Sequence, residues 1–344
     1  MSSIDKHVTR EELNKTLERR WRSILEKFDQ VTTLKVRHPK LLSILEDVKT
    51  YWKDTRTRLL FRPALTSFSC EAVGGKPESA EDAGLIFILA ASGIGIHDDI
   101  LDKSRCKHLR KTILGIHGED SALLVGDLLL IKAWTMFHEM ISNANKALRI
   151  ADIMKVYGNL SIEICEAEFM ETMCRRNLET DLDHYANVLW MAMAEIEACT
   201  RIGAMIGNGN SDEIEALAKF GRRLGLISRL ADEIEDCLNL KGDLPHRIEY
   251  ESVPLPLLYA AKRSREKYLE IKKIINKTQI TSSDAKALVK SCFDTEAFDY
   301  VHSIARKNEA KAASELLMLK PSNARNLLSE IKKGVYDRID ALCI

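Results

Sequence analysis

Residues 83–102 read Ala-Gly-Leu-Ile-Phe-Ile-Leu-Ala-Ala-Ser-Gly-Ile-Gly-Ile-His-Asp-Asp-Ile-Leu-Asp. The apolar body, Ala83 to Ile96, has no preferred side, as expected of a helix buried all round. It then ends in three carboxylates, Asp98, Asp99 and Asp102. The C-terminal end of a helix is the negative pole of its dipole, so acids there are unfavourably placed unless a cation compensates them. Asp98 and Asp102 are four residues apart and share one face, a turn from each other.

About 130 residues later Asp232, Glu233, Glu235 and Asp236 form a second acidic cluster. Asp232 and Asp236 repeat the four-residue spacing, behind a stripe of Leu217, Phe220, Leu224 and Ile227. Carboxylates without clustered His or Cys suit a hard ion such as Mg²⁺, which keeps part of its water and is completed by substrate phosphates. Two such clusters facing each other would make a site for a diphosphate ester. The competing reading is a solvated helix face. It has more force for the second cluster than for the first, since so apolar a helix has little reason to end in three acids.

The 344 residues are 45% hydrophobic and 30% charged, enough for a sizeable core. Acidic and basic residues balance at 51 each, which argues against broad nucleic-acid binding. Seven prolines and sixteen glycines favour long helices over many short strands. The eight cysteines form no C-x-x-C pair and fit a reducing compartment, so a cytoplasmic location is expected. The N-terminal residues carry no apolar signal core. The longest apolar run is too short to span a bilayer, so no transmembrane segment is expected.

Helical periodicity dominates. Leu13, Leu17, Trp21, Ile24, Leu25 and Phe28 mark an amphipathic helix near the start. Further helices are predicted over 40–53, 63–73, 79–103, 119–141, 146–175, 182–206, 211–240, 253–275, 282–292, 294–307, 309–317 and 322–341. Gly74-Gly75-Lys76-Pro77 breaks one helix. Gly207 to Asn210 closes another, with Ser211 or Asp212 predicted to cap its successor. With no convincing strand pattern, repeat or low-complexity linker, the expectation is all-α, a single-domain helical bundle over residues 1–344.

These residues carry a resemblance. His97-Asp98-Asp99-Ile100-Leu101-Asp102-Lys103-Ser104, followed by Gly118, Ala122, Leu124, Gly126 and Asp127, resembles the first aspartate-rich region of the trans-isoprenyl diphosphate synthases. Leu224-Gly225-Leu226, then Asp232 to Asp236, then Leu255 to Ala260, resembles their second. Arg62-Pro63 and Glu71 to Gly75 match the stretch upstream of the first. The similarity runs from about residue 55 to 265. It implies a bundle around a deep central cavity, with two or three Mg²⁺ ions binding an allylic prenyl diphosphate. By resemblance, Asp98, Asp99 and Asp102 hold metal from one side and Asp232 and Asp236 from the other, with Asp98, Asp102 and Asp232 catalytic. Ala90, Ala91, Gly93 and Ile94 would line the chain pocket. Their small members imply room for a geranylgeranyl-sized or longer chain, or else close helix packing. The family usually forms homodimers through helices beside the first acidic region. A heteromer with another prenyl synthase is the variant.

The departures from the family pattern concern cations. The usual Gly-Gly-Lys-Arg-Leu-Arg-Pro is here Thr57-Arg58-Leu59-Leu60-Phe61-Arg62-Pro63. The Arg-Arg-Gly after the first acidic motif falls on Lys107-His108-Leu109, and an expected histidine falls on Leu114. A middle Lys-Thr pair falls on Met191-Ala192, a Phe-Gln pair on Ser228-Arg229, and Glu233 replaces an aspartate. Leucine cannot donate a charge-assisted hydrogen bond to a diphosphate. Arg56, Arg58, Lys103, Arg105, Lys107, Arg110, Lys111 and Arg229 are the substitute cations nearby in sequence, and Arg62, Lys107, Arg110, Arg229 and Lys241 are the candidate diphosphate contacts. The pattern thus points first to terpene synthase or cyclase chemistry on a prenyl synthase scaffold, without isopentenyl diphosphate. Next comes a chain-elongating synthase that condenses the allylic substrate with isopentenyl diphosphate. A non-catalytic subunit of a heteromeric synthase is third. Glu163, Glu166, Glu168 and Glu171 read as a largely solvated acidic face, and His97 as a hydrogen-bonding neighbour of the site rather than a ligand.

Overall fold

A computed structural model describes residues 8–33, 35–54, 61–107, 110–142, 147–239 and 242–342. The chain runs α1 (Arg10–Thr33), α2 (Pro39–Asp54), α3 (Phe61–Ala72), a 3₁₀ turn (Pro77–Ala80), α4 (Glu81–Leu101), β1 (Cys106–Lys107) and β2 (Arg110–Lys111). It continues through α5 (Ile113–His117), α6 (Glu119–Ser142), α7 (Ala147–Met173), α8 (Leu182–Ala192), α9 (Ala194–Ile206) and α10 (Ser211–Leu238). The last part is α11 (Leu244–Tyr250), α12 (Leu255–Arg263), α13 (Arg265–Ile275), α14 (Ser282–Asp294), α15 (Ala297–Leu317) and α16 (Asn323–Asp340). The fold is all-α, and the two-residue strands form a single antiparallel hairpin, the one sheet among the described residues.

Two compact units divide the chain. The first comprises residues 1–157, 198–218 and 317–330, and the second comprises 158–197, 219–316 and 331–344. In the first, α4 is the buried centre, packed chiefly on α6 and also on α3 and α1. Glycine makes the α4–α6 crossing close. A Cβ on Gly93 would lie 2.8 Å from the carbonyl oxygen of Gly126 and from Cγ of Leu130, and one on Gly126 would collide with the His97 ring. Gly93 therefore turns toward α6. Its smallness serves close helix packing, one of the two readings the small residues of this stretch allowed.

Helices Pro77–Leu101 and Glu119–Met140 are each long and apolar enough to cross a membrane by length and composition, with 67% and 33% of the respective windows buried. The first counts its preceding 3₁₀ turn, which makes it longer than the apolar run suggested.

The second unit has its core among α8, α10 and the helices that follow, with Tyr185, Leu189, Ile227, Ile234, Leu257, Leu258 and Leu288 fully buried. Helix ends differ from the sequence expectation where a side chain intervenes. The helix read as 182–206 breaks at Met193, because the buried Arg222 Nη1 donates to the freed carbonyls of Trp190 (3.0 Å) and Met191 (3.3 Å). The helix read as 253–275 restarts after Ser264, whose hydroxyl accepts from the Lys267 N–H at 3.1 Å. Conversely, α15 runs through Asn308, whose side chain donates to the Ile304 carbonyl (2.9 Å) and so stays within the helix. The cap of α10 is Asn210, one residue before those expected. Its Oδ1 accepts from the Glu213 N–H (3.0 Å) while Glu213 Oε2 accepts from the Asn210 N–H (2.9 Å).

Candidate active site

The first acidic motif closes α4. Asp99 is nearly buried, while Asp98 and Asp102 are partly exposed. Asp102 caps the helix, its N–H donating to the Asp98 carbonyl at 2.9 Å. Lys103 then adopts φ +53°, turning the chain sharply, and the Ser104 N–H returns to the Asp99 carbonyl at 2.8 Å. That turn launches the β1–β2 hairpin. Its base is tied by the Thr112 N–H to the Arg105 carbonyl (3.0 Å) and the Thr112 hydroxyl to the Ser104 carbonyl (2.7 Å).

The hairpin brings Lys107 back over the motif. Its Nζ lies 2.9 Å from Asp98 Oδ2 and 2.9 Å from Asp99 Oδ1. Burial would lower this ammonium's pKa, but the two carboxylates outweigh it and hold the pKa well above the ordinary lysine value. The compensating cation that the helix end demands is thus present within the chain itself. Arg110 and Lys111 are exposed on β2. His97 Nε2 lies 3.2 Å from the Leu123 carbonyl oxygen and 3.4 Å from Asp127 Oδ1, a hydrogen-bonding role as expected. On α4, Ala90 and Ala91 are buried and Ile94 is half-buried. Arg62 lies in the first turn of α3, where its carbonyl accepts from the Thr66 hydroxyl. Leu114, at the place of the family's histidine, is buried.

The second motif closes α10. Arg338 of α16 reaches Asp232 through Nη2–Oδ1 (2.6 Å) and Glu235 through Nε–Oε1 (2.7 Å). Asp236 accepts from Arg247 Nη1 at 2.7 Å. Burial raises the Asp236 pKa, and Arg247 offsets part of that rise. Glu233, where the family has aspartate, points inward and is fully buried. Its carboxylate accepts from Arg247 Nη2 (2.6 Å), from the Leu255 N–H (2.7 Å) and from the Tyr185 hydroxyl (3.3 Å). Arg247 Nε also donates to the Ser252 carbonyl at 3.1 Å. The extra methylene of Glu233 reaches partners below the helix surface, so this residue is an anchor of the motif.

Two expectations change here. Arg229, a candidate diphosphate contact, is committed to Glu171 (2.6 Å) and lies 3.6 Å from Glu233, because it joins the same internal network. Glu163 and Glu171 are half-buried and paired rather than freely solvated. Glu163 holds the buried Arg222 (2.7 Å), and Glu171 also accepts from the Ser252 hydroxyl (2.7 Å). Lys241, Arg56, Arg58, Leu59, Leu60, His108 and Leu109 lie outside the described residues. Tyr185, Arg247, Ser252 and Arg338 escaped the sequence reading. Arg338 stands 106 residues from Asp232, and no local spacing signals that pairing.

Among the described residues no three His, Cys, Asp or Glu side chains form a preassembled metal cage. Mg²⁺ takes one or two carboxylates and completes its shell with water and phosphate. Asp98, Asp102, Asp232 and Asp236 have the right donor chemistry for it.

The polyprenyl synthetase family profile matches residues 46–292. A short chain isoprenyl diphosphate synthase of Methanothermobacter thermautotrophicus is 28% identical over 80% of this chain and 85% of its own. A geranylgeranyl diphosphate synthase of Methanosarcina mazei is 25% identical over 80% of this chain and 85% of its own. Among solved structures, geranylgeranyl pyrophosphate synthetase from Pyrococcus horikoshii superposes with a TM-score of 0.82 at 24% identity, covering 95% of this chain and 98% of that one. The last likeness concerns the fold.

Proposed function

The chain belongs to the polyprenyl synthetase family and is a prenyltransferase, and we propose that it elongates an allylic prenyl diphosphate with isopentenyl diphosphate, as a geranylgeranyl-type synthase. One observation carries this reading. Relatives that match 80% of the chain bear the names of isoprenyl and geranylgeranyl diphosphate synthases. The order read from sequence, cyclisation first, is thereby reversed. The hairpin supports the change, since it returns Lys107 to the first motif and pairs it across the strands with Arg110, where the family pattern had lost cations.

In this reading Asp98, Asp99 and Asp102 of the first motif, and Asp232 and Asp236 of the second, would be the ligands of two or three Mg²⁺ ions. When bound, Mg²⁺ neutralises the departing diphosphate. Lys107 steadies Asp98 and Asp99 before substrate arrives and donates to phosphate oxygens afterwards. Arg62 and Arg110 supply further positive charge. Phe87, Ala91, Ile94 and Asp98 recur at helical spacing on one face of α4, so the prenyl tail runs down that face and Ala90 and Ala91 give it room. Cyclisation remains the second reading, favoured by buried Leu114 and by Arg229 being committed inward.

Purified protein is incubated with Mg²⁺ and farnesyl or geranylgeranyl diphosphate, with and without isopentenyl diphosphate. Longer diphosphates formed only with isopentenyl diphosphate are expected. Hydrocarbon or alcohol formed without it would sink the elongase in favour of the cyclase. Asp98→Ala is expected to abolish turnover on either reading, and unchanged turnover would refute the site.

As partner we propose a second copy, with a heteromer as the variant. Leu123, Leu124, Ile131 and Trp134 of α6 are exposed, an apolar face that a helix of a like molecule would cover.

A further inference from the structure

Resting on the prenyl diphosphate reading, we propose that Arg338 is an exchangeable counter-cation of the second acidic motif. It holds Asp232 and Glu235 until a magnesium diphosphate arrives, and then donates to the diphosphate itself.

The two arginines at this motif are built differently. Arg247 is 3% exposed, and its three nitrogens are fixed by Glu233, Asp236, Tyr185 and Ser252 at once. It has no freedom to leave. Arg338 keeps 28% of its side chain exposed, beside Asp232 at 26%. It uses Nη2 on Asp232 and Nε on Glu235, and its Nη1 has no partner among the described residues. One edge of the guanidinium thus remains available to an anion while the other grips the acids.

A divalent ion that takes Asp232 competes with that grip, since both cations seek the same carboxylate. Once the ion is seated, the motif no longer needs the arginine charge, and the incoming diphosphate does. A planar fork with paired donors matches two phosphate oxygens better than any other side chain. Arg338 can serve either anion by turning its own side chain, with α16 staying in place.

This exchange predicts shifts of opposite sign, which a purely structural role would not produce. Arg338→Gln removes the charge and keeps a polar side chain with an N–H donor. By calorimetry on the full chain, Mg²⁺ alone is expected to bind the variant more tightly than the wild type, its competitor being gone. Inorganic pyrophosphate with saturating Mg²⁺ is expected to bind it about tenfold more weakly, the loss of one charge-assisted contact. Arg338→Lys keeps the charge without the fork, and is expected to restore wild-type Mg²⁺ binding and only part of the pyrophosphate affinity. A thermal melt establishes that both variants are folded. If Arg338→Gln binds Mg²⁺ and pyrophosphate as the wild type does, this inference is overturned while the family reading stands. If the wild type itself fails to bind magnesium pyrophosphate, both fall.

Discussion

Glu233 and Arg247 form a pair almost wholly removed from water, at 0% and 3% side-chain exposure. Such a pair is tolerated because its nitrogens and oxygens are further met by Tyr185, Ser252, Asp236 and the Leu255 amide. Removing one member strands the other's charge, which costs about 3–5 kcal/mol. Arg247→Met is expected to lower stability in urea denaturation by about that much, and Arg247→Met with Glu233→Leu to regain a large part of it. A neutral single variant would show that the network contributes little. At this scale the sequence was legible in what it placed and opaque in what it paired. Asp98, Asp102, Asp232 and Asp236 announce themselves by spacing, because a helix repeats locally. Their partners Lys107, Arg247 and Arg338 do not, because the first comes back through a hairpin and the last from another helix.

Helices were legible wherever an apolar stripe ran long enough, and α4 most of all. Their ends were less so. Met193 interrupts α8 from α9 for a reason lying in Arg222, and Asn308 fails to interrupt α15 because its amide finds a carbonyl within its own helix. The β1–β2 hairpin has two residues per strand, too few for any alternation to appear. Caps can be tested singly. Thr281 and Asp284 form a capping box at α14, and Lys277 also pairs with Asp284. The Lys277 bond first, then the Thr281 backbone and hydroxyl bonds, lower the Asp284 pKa from 3.8 to about 2. A carboxylate held below its unfolded value stabilises the fold above that value, and the contribution vanishes as pH falls through the lower one. The melting temperature of Asp284→Asn is expected to lie below wild type above pH ~4, with the gap closing toward pH ~2. A gap that persists unchanged to pH ~2 would assign the effect to packing instead.

For the whole molecule, the all-α class followed from composition and period, and the match to prenyl synthases over most of the chain bears it out. The chain pocket was only partly legible, since a small residue serves close packing as readily as an open wall. Gly93 went to packing, whereas Ala90 and Ala91 remain candidates. Ala91→Phe is expected to shorten the principal product by at least one isoprene unit, read by chromatography of dephosphorylated products; an unchanged product length would remove α4 from length control. Association can be tested separately. Ile131→Glu, on the exposed face of α6, is expected to shift the protein to monomer in light scattering. A wild type that is already monomeric would refute the second-copy proposal.

Arg222 draws five acceptor atoms from three places in the chain. They are both oxygens of Glu163, the Trp190 and Met191 carbonyls, and Glu197. A lysine offers one nitrogen where all three guanidinium nitrogens are in use, so no single-residue replacement reproduces that set. The position is therefore historically locked. A descendant sequence could abandon this arginine only after its two glutamates had drifted to neutral residues and the break at Met193 had healed into continuous helix.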